Sequence, residues 1–215
     1  MKKIATLILI TIVSISCNKP QNKIDYATIL KSCFSNTEIE ILNEACVVFE
    51  AQLSESYPND AMGIKYKQFL NDIGTSNASS TLTKNTPKPF LTKLKNSSVF
   101  DKIWIKYSET YYEDGSFETQ EQTNLNNSKN KNEYNPKDFY ITNPKGAYLE
   151  CLIKNQENKY VNEYLMTLRD IGAINPTILA KGLANSMKDN DYNDKTVRLI
   201  IAMNLFYELE LNITE

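Results

Sequence analysis

Histidine is absent from the 215 residues, and this absence limits the chemistry that the chain can perform. Without an imidazole there is no histidine general base, no Ser–His or Cys–His nucleophile pair and no histidine ligand for a metal. Four cysteines remain, Cys17, Cys33, Cys46 and Cys151, and no two of them have the Cys-x-x-Cys spacing of redox and zinc sites. The sequence therefore favours a non-catalytic protein that needs no cofactor.

A run of acidic and amide side chains, residues 189–194, is the one candidate for a metal site. Oxygen-bearing side chains stand at alternate positions, as in a calcium loop: Asp189, Asp191 and Asn193. An EF-hand requires Gly at the sixth position and Glu at the twelfth, where this chain has Asp194 and Ile200. The favoured alternative is that the run caps the helix that follows it.

Paired carboxylates could hydrolyse a glycosidic bond. The candidates are Glu44, Glu50, Glu150 and Asp170. The chain contains 26 acidic residues, however, and nothing in the sequence marks two of them as partners. We therefore interpret them as solvated surface groups.

Aromatic residues in the middle of the chain are the candidate binding site. They are Trp104, Tyr107, Tyr111 and Tyr112, which offer flat apolar area with polar tips to an envelope protein or a glycan. The favoured alternative is that they hold a long loop against the core. Nucleic acid is not an expected partner, because the net charge is −2 and only two arginines are present.

The N-terminus has the parts of an export signal. Two lysines precede a mostly apolar run, residues 4–15, which is shorter than the roughly 20 residues that span a bilayer. This favours a removable signal peptide, residues 1–16. The small residues before Cys17 resemble the lipobox of bacterial lipoprotein precursors, although Ser14 stands where that pattern usually has Leu. The alternative is a secreted protein whose cleavage site lies near Cys17.

The lipoprotein resemblance implies that Cys17 carries lipid and anchors the protein in the bacterial cell envelope. Residues 17–23 would then be a polar tether. Asn18 stands where an Asp would retain the protein in the inner membrane, which implies the outer membrane. After cleavage, 22 basic residues face 26 acidic residues, a net charge of −4.

The other three cysteines are Cys33, Cys46 and Cys151. An oxidising compartment would permit one disulfide and leave one thiol free. Cys46 lies on an apolar helical face and Cys151 lies among aliphatic residues, so buried thiols are the favoured interpretation.

Apolar residues recur at helical spacing along most of the chain. The predicted helices are 37–56 capped by Asn36 or Thr37, 60–73 ending at Gly74, 158–171 ending at Gly172, a helix begun by Asn175 and Pro176, and 197–211. The last is apolar on all sides, which is typical of a helix at the centre of a core. We expect a single all-α domain, residues 24–215, built as an irregular helical bundle or hairpin array around this C-terminal helix.

Two stretches are harder to interpret. Residues 113–137 are polar and rich in Asn, Glu and Lys, which predicts a long loop. Residues 99–107 fit both a strand and a helix, and a helix is favoured because no other segment is a convincing partner strand.

Residues 66–77 and 164–175 share six of twelve positions, including Asp72 with Asp170. Chance similarity of two amphipathic helices is the favoured explanation, and duplicated halves around 37–77 and 147–187 are the alternative. An Asp in the last turn opposes the helix dipole. We therefore expect each Asp to bond to a backbone group or to another chain element.

Three functions remain open. The first is a non-catalytic envelope binding or accessory module, and it is favoured. The second is a periplasmic immunity lipoprotein whose acidic charge suits a basic toxin. The third is a carboxylate-based enzyme that acts on glycan.

Overall fold

The computed structural model describes residues 24–76, 87–110 and 139–213. Within these ranges the protein is mostly helical, which confirms the all-α prediction. The first seven α-helices of the described ranges are α1 (Asn36–Ser56), α2 (Met62–Gly74), α3 (Lys88–Lys95), α4 (Phe100–Ile103), α5 (Ala147–Asn155), α6 (Lys159–Ile171) and α7 (Pro176–Ser186). The last, α8, runs without a break through Lys195–Ile201, the π-helical segment Ala202–Tyr207 and Glu208–Ile213.

Helix α1 begins with a capping box. The Ser35 hydroxyl accepts a hydrogen bond from the Glu38 N–H, and the Glu38 carboxylate accepts one from the Ser35 N–H. The cap is thus Ser35, and the prediction of Asn36 or Thr37 was wrong by one or two positions. Both side chains thus accept hydrogen bonds from N–H groups at the start of the helix that would otherwise have no acceptor.

Helix α8 lies at the centre of the core, as its largely apolar sequence predicts. Every residue from Leu199 to Glu208 is buried, including the whole π-helical segment. Its Phe206 ring stacks on Phe49 of α1 with ring centroids 4.3 Å apart. The Tyr207 hydroxyl donates to the Ala45 carbonyl of α1 at 2.8 Å, so apolar and polar contacts both join the two helices.

The prediction of one helix over residues 99–107 was wrong after its first turn. Helix α4 ends at Ile103, and strand β1 (Trp104–Lys106) pairs antiparallel with strand β2 (Tyr140–Thr142). Trp104 lies opposite Thr142 in this register. Strand β2 was not recognisable in the sequence, because it has only three residues and lies more than thirty residues from β1.

The two similar segments occupy helices α2 and α6 but end differently. Gly172 has a φ of +76°, the left-handed conformation of a helix-terminating glycine. Gly74 instead contacts α7, where an added Cβ would lie 3.2 Å from the Lys181 Cα. Asp72 accepts a hydrogen bond from Tyr57, at the end of α1, at 2.6 Å, as expected. Asp170 instead accepts one at 2.8 Å from its neighbour Arg169 in the same helix, so the expectation of a backbone group or another chain element was wrong there.

A disulfide joins Cys33 to Cys151 in α5. The prediction that Cys151 is a buried free thiol was therefore wrong. The same prediction for Cys46 is confirmed, because its thiol is free and buried. The bridge spans 118 residues and ties the segment before α1 to the middle of the chain.

Several sequence predictions fall outside the described residues. These are the signal peptide 1–16, Cys17 with its tether 17–23, Tyr111, Tyr112 and the polar stretch 113–137. Among the residues that are described, no helix combines the length and apolar character needed to cross a bilayer.

Candidate functional site

The predicted aromatic binding surface is not formed by Trp104. Its side chain is 1 % exposed and packs against Phe100 with ring centroids 5.4 Å apart. Tyr107 is half-buried just after β1. Trp104 therefore belongs to the core, which agrees with the favoured alternative, and its ring cannot contact a partner because the residue points inward at the start of a strand.

The acidic run forms the short 3₁₀ helix Asp189–Asn193 and the start of α8. Asp194 caps α8 by accepting from the Val197 N–H at 2.9 Å, as the favoured interpretation predicted. The three candidate metal ligands have local partners: Asp189 pairs with Lys67, Asp191 accepts from the Lys188 N–H, and Asn193 accepts from Arg198. In the described ranges, no group of three or more Cys, Asp or Glu side chains is arranged to hold a metal ion.

Three of the four candidate catalytic carboxylates pair with a cation. Glu44 pairs with Lys93, Glu50 with Arg198, and Asp170 with Arg169. Glu150 is exposed on α5. Glu50 also accepts from the Tyr26 hydroxyl at 2.8 Å, so its surroundings are those of a structural ion pair.

An apolar cavity of about 360 Å³ opens between α6 and α7. Its lining includes Tyr160, Tyr164, Ile171, Ile174, Ile178 and Leu183. Ile171 and Ile178 are 62 % and 65 % exposed, more than any other large hydrophobic side chain in the part of the chain that the structure describes. Solvation of such side chains is unfavourable, which makes this a candidate binding surface.

A second cavity of about 450 Å³ lies beside the first, between β2 and the end of α8. Its lining includes Phe139, Tyr140, Ile174, Glu208, Leu209 and Ile213. Ile174 lines both cavities, so the two are neighbours. We call them together the isoleucine groove.

Glu208 is the one acidic residue that lines the second cavity. Its Oε2 accepts from both the N–H and the hydroxyl of Thr142, each at 2.8 Å. The network continues from Asn204 to the Thr142 hydroxyl at 3.2 Å and from the Tyr148 hydroxyl to Asn204 at 2.9 Å. Asn204 lies in the π-helical segment of α8, a type of helix that often occurs at functional sites.

Burial raises the pKa of Glu208 to about 7, although the two hydrogen bonds from Thr142 lower it. The nearby Tyr164 hydroxyl is buried and has no hydrogen-bond partner among the described residues. Burial, with a smaller effect from the charge of Glu208, raises the pKa of Tyr164. Near neutral pH Glu208 is therefore only partly ionised, and Glu163, which lines the first cavity, is exposed and pairs with Lys159.

The isoleucine groove was not predicted from the sequence. Ile171 was placed at the end of an amphipathic helix, and the residues of the turn to α7 were interpreted only as caps. The available signal was Glu208, because a carboxylate inside an otherwise apolar helix requires a polar partner or a raised pKa.

Replacing Glu208 by Gln should change how stability depends on pH. From pH 4.5 to 7 the folded protein keeps a proton on Glu208 that the unfolded chain has released, so the free energy of unfolding falls as pH rises through this window. Glu208 alone is expected to lower the free energy of unfolding by about 3 kcal/mol between pH 4.5 and 7. Urea unfolding measured at several pH values between 4.5 and 7 should show that this decrease in stability is absent in E208Q.

Glu38 provides a control of opposite sign. Burial would raise its pKa, but hydrogen bonds from Lys102, Ser35 and Ser98 outweigh burial and lower the pKa to about 2. Its contribution to stability is present above pH 4.5 and is lost as pH falls through 2, so E38Q should leave the window from 4.5 to 7 unchanged. Equal slopes for E208Q and the unmodified protein would contradict the prediction.

Comparison with known proteins found no matching family model, no matching curated protein and no matching solved structure.

Proposed function

We propose that this protein is a lipid-anchored, non-catalytic protein of the bacterial outer membrane that binds an apolar segment of an envelope protein in the isoleucine groove. The lipid sits on Cys17, and residues 17–23 connect it to the folded domain. The proposal needs no cofactor, because binding rests on apolar contact alone.

The location is supported by the lipobox-like sequence that ends at Cys17 and by the disulfide between Cys33 and Cys151. Structural disulfides persist in oxidising compartments and are rare in the bacterial cytosol. The leader and the disulfide are independent observations, and both favour an exported protein.

The observation that carries the binding function is the clustering of exposed apolar side chains. Eight large hydrophobic side chains are exposed in the described ranges, and four of them line the isoleucine groove: Tyr160, Ile171, Ile178 and Ile213. Three of the four are isoleucines. Aliphatic side chains gain free energy when they are buried against other apolar surface, so the exposed part of the groove suits an apolar protein segment.

Replacing Cys17 by Ala should release the protein from membranes, because this change removes the residue that carries the acyl chains. Fractionation of cells that express the full chain gives the measurement. The unmodified protein should sediment with membranes and dissolve in detergent, and C17A should be in the soluble fraction. Unchanged membrane association of C17A would show that the lipid anchor is wrong.

Photo-crosslinking in living cells tests the groove. The full chain with p-benzoylphenylalanine in place of Ile178 should form a discrete adduct with an envelope protein on irradiation. The same probe in place of Ile64 is the control, because Ile64 is 49 % exposed on α2 and lines neither cavity. A second change, Ile171→Glu, should abolish the adduct by placing a charge in the groove. Absence of an adduct at 178, or equal adducts at 178 and 64, would contradict the binding proposal.

A further inference from the structure

We propose that a second apolar surface, formed by Ile24, Ile41 and Val47, contacts the phospholipid bilayer that holds the lipid on Cys17. We call it the bilayer-contact surface. This proposal rests on the proposed lipid anchor, and it identifies the face of the domain that contacts the membrane.

The bilayer-contact surface lies beside the point where the tether enters the domain. Ile24, the first described residue, is 43 % exposed, and Val47 of α1 is 53 % exposed. Both line a shallow cavity of about 450 Å³ together with the partly buried Ile41. These three apolar side chains line the cavity together with Thr37, Asn43 and three charged residues, and none of them lines the isoleucine groove.

The length of the tether restricts how the domain can turn. Ile24 lies seven positions after Cys17 in sequence, and seven fully extended positions span at most about 25 Å. A folded domain of about 190 residues has a radius of gyration of about 16 Å and is therefore about 40 Å wide. Because the tether is shorter than this width, the side of the domain that carries Ile24 cannot face directly away from the bilayer.

The charges around the surface indicate which lipids it suits. Glu44 and Lys93 line the same cavity and form an ion pair, and Asp25 next to Ile24 pairs with Lys31. Glu40 also lines the cavity. The charges thus nearly cancel, which suits a zwitterionic phospholipid interface. Lys93 and Lys31 are half-exposed, so they can extend their ammonium groups toward lipid phosphates while apolar side chains enter the interface.

Site-specific fluorescence on the lipidated full chain tests this orientation. Cys46 is buried and Cys33 is bridged to Cys151, so a cysteine introduced by Val47→Cys is the accessible thiol for an environment-sensitive label. The labelled protein is reconstituted into phosphatidylcholine vesicles that contain a nitroxide-labelled lipid. Ile64→Cys and Ile178→Cys carry the same label as controls. Circular dichroism and retained disulfide, measured by mass, establish that each variant is folded.

The label at position 47 should be quenched at least twofold more than the label at 64 or 178, and Ile24→Glu should remove most of this difference. Co-sedimentation with vesicles combined with equal quenching at all three positions would overturn the orientation while leaving the lipid anchor intact. Failure of all variants to co-sediment would overturn the lipid anchor and this inference with it.

Discussion

Replacing Phe49 by Ala is expected to lower the free energy of unfolding by about 3–5 kcal/mol. The Phe49 ring is fully buried and connects three helices. It stacks on Phe206 of α8 at 4.3 Å and meets two rings of α2 edge-on, Phe69 at 4.9 Å and Tyr66 at 5.3 Å. Truncation removes these contacts and leaves a cavity that the surrounding helices fill only in part.

The same helix provides the control. Val47 lies two residues earlier and is 53 % exposed, so V47A should change the free energy of unfolding by no more than about 0.5 kcal/mol. Urea unfolding monitored by circular dichroism compares the two variants with the unmodified protein. Because domains of this size are stable by about 5–15 kcal/mol, F49A should unfold at a clearly lower urea concentration. Equal midpoints for F49A and V47A would show that the aromatic contact between α1, α2 and α8 does not stabilise the fold.

The helices were predictable because the information that specifies them is local. The apolar spacing of 37–56 and 158–171, the glycine at 172 and the pair Asn175–Pro176 all lie within or beside the elements that they define. The central position of α8 followed from its composition, since a helix without a polar face must be surrounded by other elements.

The remaining features depend on contacts between distant residues. Strand β1 forms because Tyr140–Thr142 pairs with it, and neither segment is long enough to show a strand pattern alone. The Cys33–Cys151 pairing could not be chosen from three cysteines whose spacing fits several arrangements. The isoleucine groove likewise exists only because α6, α7 and the end of α8 meet around Ile174, so no single segment predicts it.

Loss of the Cys33–Cys151 disulfide is expected to lower the free energy of unfolding by about 2–5 kcal/mol. The bridge joins residues 118 positions apart, and a cross-link over so long a loop removes many conformations from the unfolded chain. It also fastens the segment that follows the proposed tether to α5. The double variant Cys33→Ser with Cys151→Ala removes the bridge, and Ala at 151 places no unpaired hydroxyl in that buried position.

Unfolding in urea with and without dithiothreitol separates the bridge from other effects of substitution. The unmodified protein should lose stability on reduction, whereas the double variant should start from the lower value and not respond to dithiothreitol. Cys46→Ala is the matched control: it removes the buried free thiol but keeps the bridge, so it should respond to reduction like the unmodified protein. A double variant that is as stable as the oxidised protein would contradict the stabilising role of the bridge. Replacing dithiothreitol by oxidised glutathione, which accepts the two electrons released when the thiols pair, should restore full stability only where Cys33 and Cys151 are both present.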